Sequence, residues 1–130
     1  MPNWVTNEIT FDVSEDYEME EIKNFMMSEE CEFDFNKLVP MPSDIYRGNL
    51  GEKDLKLYGK KNWYDWSCEN WGTKWNACDV LWGEYEVSFE TAWSPVNDLV
   101  KKLAKKFPNV PMTYYWDDYV GNSGEENFNV

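Results

Sequence analysis

Four tryptophans and a lysine lie close together near the middle of this 130-residue chain, within residues 63–75. Indole rings stack on nucleobases at about 1–3 kcal/mol per base, and a lysine beside them could meet a phosphate. The segment therefore indicates a small-ligand or nucleotide pocket. Its candidate residues are Trp66, Asn70, Trp71, Lys74 and Trp75. The competing interpretation is that the indoles fill the core of a small domain, since each aromatic side chain buries a large apolar area.

Carboxylates dominate the first quarter of the chain, where residues 1–36 hold 11 acids and one base. From residue 15 to residue 21, a helix would carry five carboxylates over six rises of about 1.5 Å, or one charge per roughly 1.8 Å, against about 1.7 Å in duplex DNA. Such a surface could occupy the nucleic-acid groove of another protein. The competing interpretation is a solvated helix face whose first acids suit the helix dipole. The candidate partner-binding residues are Glu15, Asp16, Glu18, Glu20, Glu21, Glu29, Glu30, Glu84, Glu86 and Glu90.

Side chains for catalysis and metal binding are scarce. The chain has no histidine, the most common acid–base and metal-ligand side chain. Its cysteines, Cys31, Cys68 and Cys78, lie far apart, which is typical of free thiols in a reducing compartment. No glycine-rich phosphate-binding motif is present. We therefore expect a protein that is not an enzyme and that uses no metal and no cofactor.

The overall charge restricts the class of partner. Twelve basic and 25 acidic residues give a net charge of -13, which disfavours direct contact with nucleic acid or with an anionic membrane. No apolar run approaches the ~20 residues that span a bilayer, and Met1–Trp4 lacks the features of a secretory signal. We expect a cytoplasmic protein, monomeric or a small homo-oligomer, whose partner is a protein with a basic groove.

The first two elements are predicted from side-chain periodicity. Alternation of apolar and polar residues over 4–13 predicts a half-buried strand. A helix over 15–28 follows, with Ser14 as its N-cap and an acidic outer face. Its inner stripe consists of Met19, Ile22, Phe25 and Met26.

The middle of the chain is less regular. Residues 31–42 are predicted to form a short extended piece and a proline-rigid loop, and residues 43–75 an insertion. Within it, residues 43–62 are loop-rich, with one short helix. Residues 76–82 and 84–91, separated by Gly83, predict a β-hairpin whose second strand is apolar on one side and acidic on the other.

A second amphipathic helix is predicted after the hairpin. Ser94 and Pro95 are typical of an N-cap and a first helical residue. Four lysines on its outer face, at 101, 102, 105 and 106, suit the C-terminal end of the helix dipole. Pro108 ends the helix, residues 111–119 form the last strand, and residues 121–130 form a flexible tail.

The order β-α-β-β-α-β predicts a single ferredoxin-like α+β domain over residues 1–130. Such a domain has a four-stranded antiparallel sheet with two helices on one face. The Trp-rich insertion lies between the first helix and the central hairpin.

Five segments resemble the YubB-type family of ferredoxin-like proteins, which occurs on phages, prophages and plasmids. The segments are MPNWVTNEITF at 1–11, FDFNKLVPMP at 33–42, DWSCENWGTKWNA at 65–77, FETAWSPV at 89–96 and FPNVPMTYYWDDYVG at 107–121. The resemblance implies the same fold and a mobile-element setting. It implies no catalytic residue, because the activity of that family is undefined.

The function that these patterns favour is non-catalytic. We expect an acidic protein that binds a host protein, such as a CRISPR effector or another defence nuclease, at its nucleic-acid-binding surface. The step from a mobile-element setting to inhibition of host defence is an analogy. The other prediction is a small-ligand or nucleotide-binding module built on residues 63–75.

Overall fold

The structure, a computed structural model, describes residues 3–130; Met1 and Pro2 of the MPNW segment lie outside the described residues. In chain order the main elements are β1 (Trp4–Phe11), α1 (Asp16–Met26), α2 (Glu52–Tyr58), α3 (Trp63–Asn70), β2 (Cys78–Trp82), β3 (Glu86–Ala92), α4 (Asn97–Lys106), β4 (Met112–Asp117) and β5 (Ser123–Phe128). A short 3-10 helix, Phe35–Lys37, follows α1.

The strands form one sheet in the order β2-β3-β1-β4-β5, and every neighbouring pair is antiparallel. The first four strands in this order have the ferredoxin-like arrangement, with β1 and β3 at the centre. The predicted fold class is therefore confirmed, with one more strand than expected.

The extra strand corrects the prediction of a flexible tail at residues 121–130. β5 pairs with β4 along its whole length, from Met112 opposite Phe128 to Asp117 opposite Ser123. Phe128 is buried, and Gly124 lies so close to Trp116 that an added Cβ would come within 2.5 Å of the indole nitrogen. β4 would otherwise have an unpaired edge, and pairing with a polar segment satisfies its backbone groups.

Strand β1 divides the molecule into two sides, as its alternation predicts. Val5, Asn7, Ile9 and Phe11 are buried under the helices, whereas Glu8 and Thr10 are exposed on the other side. One side of the sheet thus carries the core, and the other faces solvent.

Helices α1 and α4 cover the buried side of the sheet. Met19, Ile22 and Met26 of α1 and Leu99, Val100, Leu103 and Ala104 of α4 enter the same core. Phe25 and Phe107 meet edge to face, with ring centroids 5.7 Å apart, where the two helices approach. The predicted inner stripe of α1 and the predicted amphipathic character of α4 are therefore confirmed.

The predicted starts of both helices are wrong. The Glu18 carboxylate accepts hydrogen bonds from the backbone N–H groups of Ser14 and Glu15, so Glu15 is the N-cap residue of α1 and Ser14 precedes it. Helix α4 begins at Asn97 rather than after Ser94, whose carbonyl accepts the Thr91 hydroxyl instead. At α1 the Glu18 carboxylate takes the role predicted for Ser14, whereas the N-cap residue of α4, Val96, makes no side-chain capping hydrogen bond.

The middle of the chain is more helical than predicted. The segment expected to be extended, residues 31–42, contains the 3-10 helix, and the Asp34 carboxylate caps it by accepting the Asn36 N–H. In the insertion at residues 43–75, α2 is the one short helix predicted for residues 43–62, and α3 is a second helix in the Trp-rich part that was not predicted. The ring of Tyr46 stacks on that of Tyr58, with centroids 4.3 Å apart, and this contact joins α2 to the loop that precedes it.

Within residues 3–130, no helix combines the length and apolar character needed to cross a membrane.

Candidate functional site

The solvent side of the sheet carries a group of carboxylates that we call the open sheet face. Glu8 of β1 lies at its centre, opposite Ser88 of β3 and Tyr115 of β4. The pairing register places the other acids around it. They are Glu86, Glu90, Asp117 and Glu125.

Each carboxylate of the open sheet face lies opposite a neutral residue rather than another acid. Thr10 faces Glu86, Thr6 lies between Glu90 and Asp117, and Tyr115 lies between Glu8 and Glu125. Glu86, Glu90 and Asp117 are diagonal neighbours of Glu8, at about 7–8 Å for such positions in a sheet. The sheet thereby spaces five negative charges at regular positions without placing two acids directly opposite each other.

No basic residue lies in any strand of the described chain, although the protein has 12 in total. The carboxylates of the open sheet face therefore have no lysine or arginine within their own sheet. Thr6 donates to Glu90 at 2.9 Å, and the Tyr115 hydroxyl lies 3.3 Å from Asp117. The acidic side predicted for the second hairpin strand is thus present, and the pairing register places its Glu86 and Glu90 next to Glu8.

The acids of α1 lie on the other side of the molecule, because α1 covers the buried side of the sheet. Glu15, Asp16, Glu20 and Glu21 are exposed, but the Glu18 carboxylate caps the helix. The predicted partner-binding residues are thus divided between two surfaces. The surfaces meet at one end of the sheet, where Tyr85, next to Glu84, donates to Asp16 at 3.1 Å.

The side of the molecule that α1 and α4 cover also carries basic residues. Lys23 is exposed on α1, and Lys106 of α4 lies 6.0 Å from the ring of Phe25, a residue of α1. The other three lysines of α4 are exposed as well. A basic groove approaching α1 would therefore meet positive charges, which it would not meet on the strands of the open sheet face.

A separate cavity of about 550 Å³ lies in the Trp-rich region. Its aromatic wall consists of Trp63, Trp71 and Trp75, and its charged lining groups are Glu30, Asp34, Arg47 and Lys74. A volume of several hundred Å³ with an aromatic wall and a few polar groups is typical of small-molecule sites.

The cavity brings together three of the five residues predicted to form a ligand pocket. Trp71, Lys74 and Trp75 line it, but Trp66 and Asn70 do not. Trp66 packs edge to face on Trp71 at 5.2 Å; Trp71 is itself buried in the core and Trp66 packs against that core, as the competing interpretation of the tryptophans holds. Asn70 uses its side chain at the end of α3, where it donates to the Trp66 carbonyl.

Lys74 contacts aromatic rings instead of a carboxylate. Its ammonium lies 4.4 Å from the ring centre of Trp75, 5.2 Å from that of Trp93 and 5.8 Å from that of Tyr64. Trp93 has a φ of 70°, a strained value for a large side chain, and it is half exposed. These cation–π contacts occupy the lysine that was predicted to meet a phosphate.

Asp34 is the functional candidate that the sequence analysis missed. The residue is only 6% exposed, and its Oδ1 accepts hydrogen bonds from Asn76 Nδ2 at 2.7 Å, from Asn36 Nδ2 and from the Asn36 backbone. Burial acts to raise the pKa of Asp34, but the hydrogen bonds from Asn76, Asn36 and Ser28 outweigh it and lower the pKa. The carboxylate is therefore ionised at neutral pH. The Asp-x-Asn spacing, typical of a capped turn, is the only local signal for it.

The three thiols are partly buried. Burial is the main cause that raises the pKa of Cys31, Cys68 and Cys78. Nucleophilic reactivity depends on the thiolate, so this direction disfavours reactive cysteines. Among the described residues, no group of three or more His, Cys, Asp or Glu side chains is arranged to hold a metal ion.

Residues 70–129 match the family described as the ferredoxin-like domain in Api92-like protein. The matched segment begins at the last residue of α3 and includes β2, β3, α4, β4 and β5. It is slightly less than half of the chain and agrees with the observed fold. Comparison with curated proteins gives no significant match, and neither does comparison with solved structures.

Proposed function

We propose that this protein is a non-catalytic nucleic-acid mimic that binds a basic, nucleic-acid-binding surface of another protein. The observation that carries the proposal is the open sheet face, where Glu8 is surrounded by Glu86, Glu90, Asp117 and Glu125 and no strand within residues 3–130 contributes a base. Regular negative charge on a rigid support is what a phosphate backbone offers to such a surface.

The open sheet face has two further properties that suit an interface. Leu81 and Tyr115 are exposed apolar side chains on it, 69% and 43% accessible, and they supply contact area beside the charges. Strand pairing fixes the backbone positions that carry its carboxylates, so no ordering of the backbone is needed on binding. Complementary charge then increases the rate of association and gives specificity.

The partner that we propose is a defence nuclease of a host cell, such as a CRISPR effector, with the protein itself encoded by a mobile element. This part rests on the resemblance to the YubB-type family and on the net charge of -13. A nuclease that recognises DNA through its backbone has a basic channel to which an acidic protein of this size can bind.

The test is an electrophoretic mobility-shift assay with purified CRISPR effectors and restriction nucleases on their target DNA. We expect the protein to displace DNA from at least one of them and to do so less well as salt is raised, because charge interactions are screened. The absence of displacement for every nuclease tested would contradict the proposed function.

Two variants of equal charge then identify the surface. Glu8→Gln, Glu86→Gln and Glu90→Gln together should weaken displacement about tenfold or more, because close interfacial charge pairs couple strongly. The matched control combines Glu20→Gln, Glu21→Gln and Glu29→Gln on or beside α1. A loss confined to the control would assign the interface to α1, as the sequence predicts, and not to the open sheet face.

A further inference from the structure

Asp34 is a buried carboxylate without a cationic partner. Among the described residues, the one ion pair joins Lys61 to Asp44, and no lysine or arginine nitrogen lies within salt-bridge distance of Asp34. Its Oδ1 accepts three hydrogen bonds, all from asparagine. Aspartate is rarely buried to this extent unless it is paired.

Asp34 also lines the cavity whose wall is formed by Trp63, Trp71 and Trp75. The indole N–H groups of two of these residues are anchored, Trp63 to the Gly48 carbonyl at 2.9 Å and Trp71 to the Val39 carbonyl at 2.9 Å. The wall is therefore held in place before any ligand enters. Negative charge beside aromatic faces is the combination that binds organic cations.

From this arrangement we infer that the cavity binds an organic cation of the alkylguanidinium type, with the cation directed at Asp34 and its flat face against an indole. A guanidinium suits such a site because it is planar, donates through several N–H groups to a carboxylate and stacks on aromatic rings. This site is independent of the open sheet face, because none of the carboxylates proposed there lines the cavity.

The two bases that line the cavity are already engaged. Arg47 donates to the carbonyls of Met41, Pro42 and Ile45 at 3.2, 2.9 and 2.9 Å and so holds its own loop. Lys74 lies over the Trp75 ring at 4.4 Å, which shows that an ammonium is accommodated by this aromatic surface. A nucleotide phosphate would meet the carboxylates of Glu30 and Asp34 as well as these two bases, so AMP is the competing ligand in the test below.

The experiment is isothermal titration calorimetry of the whole protein with three compounds at one ionic strength. They are N-ethylguanidinium, its neutral isostere N-ethylurea, and AMP. We expect saturable binding of N-ethylguanidinium and at least about tenfold weaker binding of N-ethylurea, because a hydrogen bond between charged groups is lost. Equal binding of the two compounds, no binding of N-ethylguanidinium, or preferential binding of AMP would overturn the inference.

Two peptides separate the sources of this chemistry, Gly-Arg-Gly and Gly-citrulline-Gly. Binding of N-ethylguanidinium and of the arginine peptide, but not of the citrulline peptide, would assign the cavity to an arginine side chain of a protein. Binding of N-ethylguanidinium without either peptide would assign it to a free small molecule, and both results support a guanidinium site. Binding of the citrulline peptide as strongly as the arginine peptide would contradict it.

Variants locate the binding. Asp34→Asn should reduce the affinity for N-ethylguanidinium about tenfold or more. The matched control is Glu32→Gln, which removes a nearby exposed charge that does not line the cavity. It should leave the affinity within about twofold of the wild type. If Asp34→Asn fails to fold, Trp75→Leu removes one aromatic face and should still lower the affinity. Unchanged affinity in a folded Asp34→Asn or Trp75→Leu variant would overturn the assignment.

Discussion

The Tyr114 hydroxyl donates a hydrogen bond to the Asn7 side-chain oxygen in the centre of the core, where both residues are fully buried. Tyr114 also accepts the Val96 N–H at 2.9 Å, and the Asn7 amide donates to the Thr91 hydroxyl at 3.0 Å. This polar group joins β1, β3 and β4 to the start of α4. Burial raises the pKa of Tyr114 far above its ordinary value, so it stays protonated and able to donate.

The first prediction concerns this hydroxyl. Tyr114→Phe should reduce the free energy of unfolding by about 1–3 kcal/mol, because it leaves the Asn7 oxygen and the Val96 N–H buried without a partner. Urea denaturation measures the loss. The control is Tyr115→Phe on the open sheet face, which is 43% exposed and should change stability by no more than about 0.5 kcal/mol. Equal effects of the two variants would contradict a structural role for the buried hydroxyl.

The second prediction concerns the end of the chain. The Asn129 amide donates to the carbonyls of Ala104, Phe107 and Val110, each at 3.0 Å, and thereby holds the end of α4 to the end of β5. Because Asn129 has a φ of 62°, glycine keeps its backbone without strain and removes only the side chain. Asn129→Gly should cost about 1–2 kcal/mol of unfolding free energy.

Val130→Ala provides the control for Asn129→Gly. Val130 is 93% exposed, so this change should have almost no effect on the urea midpoint. Hydrogen exchange gives a second measure, since the amides of β5 should exchange faster in Asn129→Gly only. A tail that is flexible, as the sequence predicts, would show fast exchange in every variant.

The third prediction is a pH dependence. The pKa of Asp34 is lower in the folded protein than its ordinary value of about 3.9, so its charged form stabilises the fold. That contribution is present above pH ~4 and is lost as the pH falls through the lower folded pKa. Asp34→Asn should therefore lose less stability on acidification from neutral pH than the wild type does.

Urea denaturation at a series of pH values measures the difference. Glu32→Gln serves as the matched control, because the Glu32 side chain is exposed and its removal should leave the acid-induced loss close to that of the wild type. Parallel stability curves for the wild type and Asp34→Asn would show that Asp34 contributes nothing to acid sensitivity.

The fourth prediction concerns repulsion on the open sheet face. Glu8 is diagonal to Glu86, Glu90 and Asp117, so its charge should destabilise the fold slightly. Glu8→Gln should raise the unfolding free energy by about 0.2–1 kcal/mol at low salt. The gain should disappear at high salt, where the charges are screened. A gain that is independent of salt would arise from packing and not from charge.

Local periodicity was sufficient to predict much of the fold. Each of these elements buries one face, so its apolar residues repeat at a spacing that can be recognised from neighbouring residues. This holds for the alternation of β1, the inner stripe of α1, the amphipathic pattern of α4 and the hairpin of β2 and β3. The order of these elements then leaves few topologies, and the ferredoxin-like one is confirmed. The caps at Ser14 and Ser94 were predicted wrongly, because the conformation of the preceding loop decides which residue is placed to accept the free N–H groups at the start of a helix.

The chain by itself therefore determined which residues are apolar, how they repeat and how acidic the protein is. Only the tertiary structure decided which carboxylates share a surface, because Glu8, Glu86 and Asp117 are brought together by strand pairing across long stretches of sequence. It likewise decided that a polar tail becomes β5, since the unpaired edge of β4 supplies the hydrogen bonds that the sequence of the tail does not indicate. The Asp34 cavity has the same origin, because its aromatic wall and its carboxylate come from segments that only folding makes neighbours.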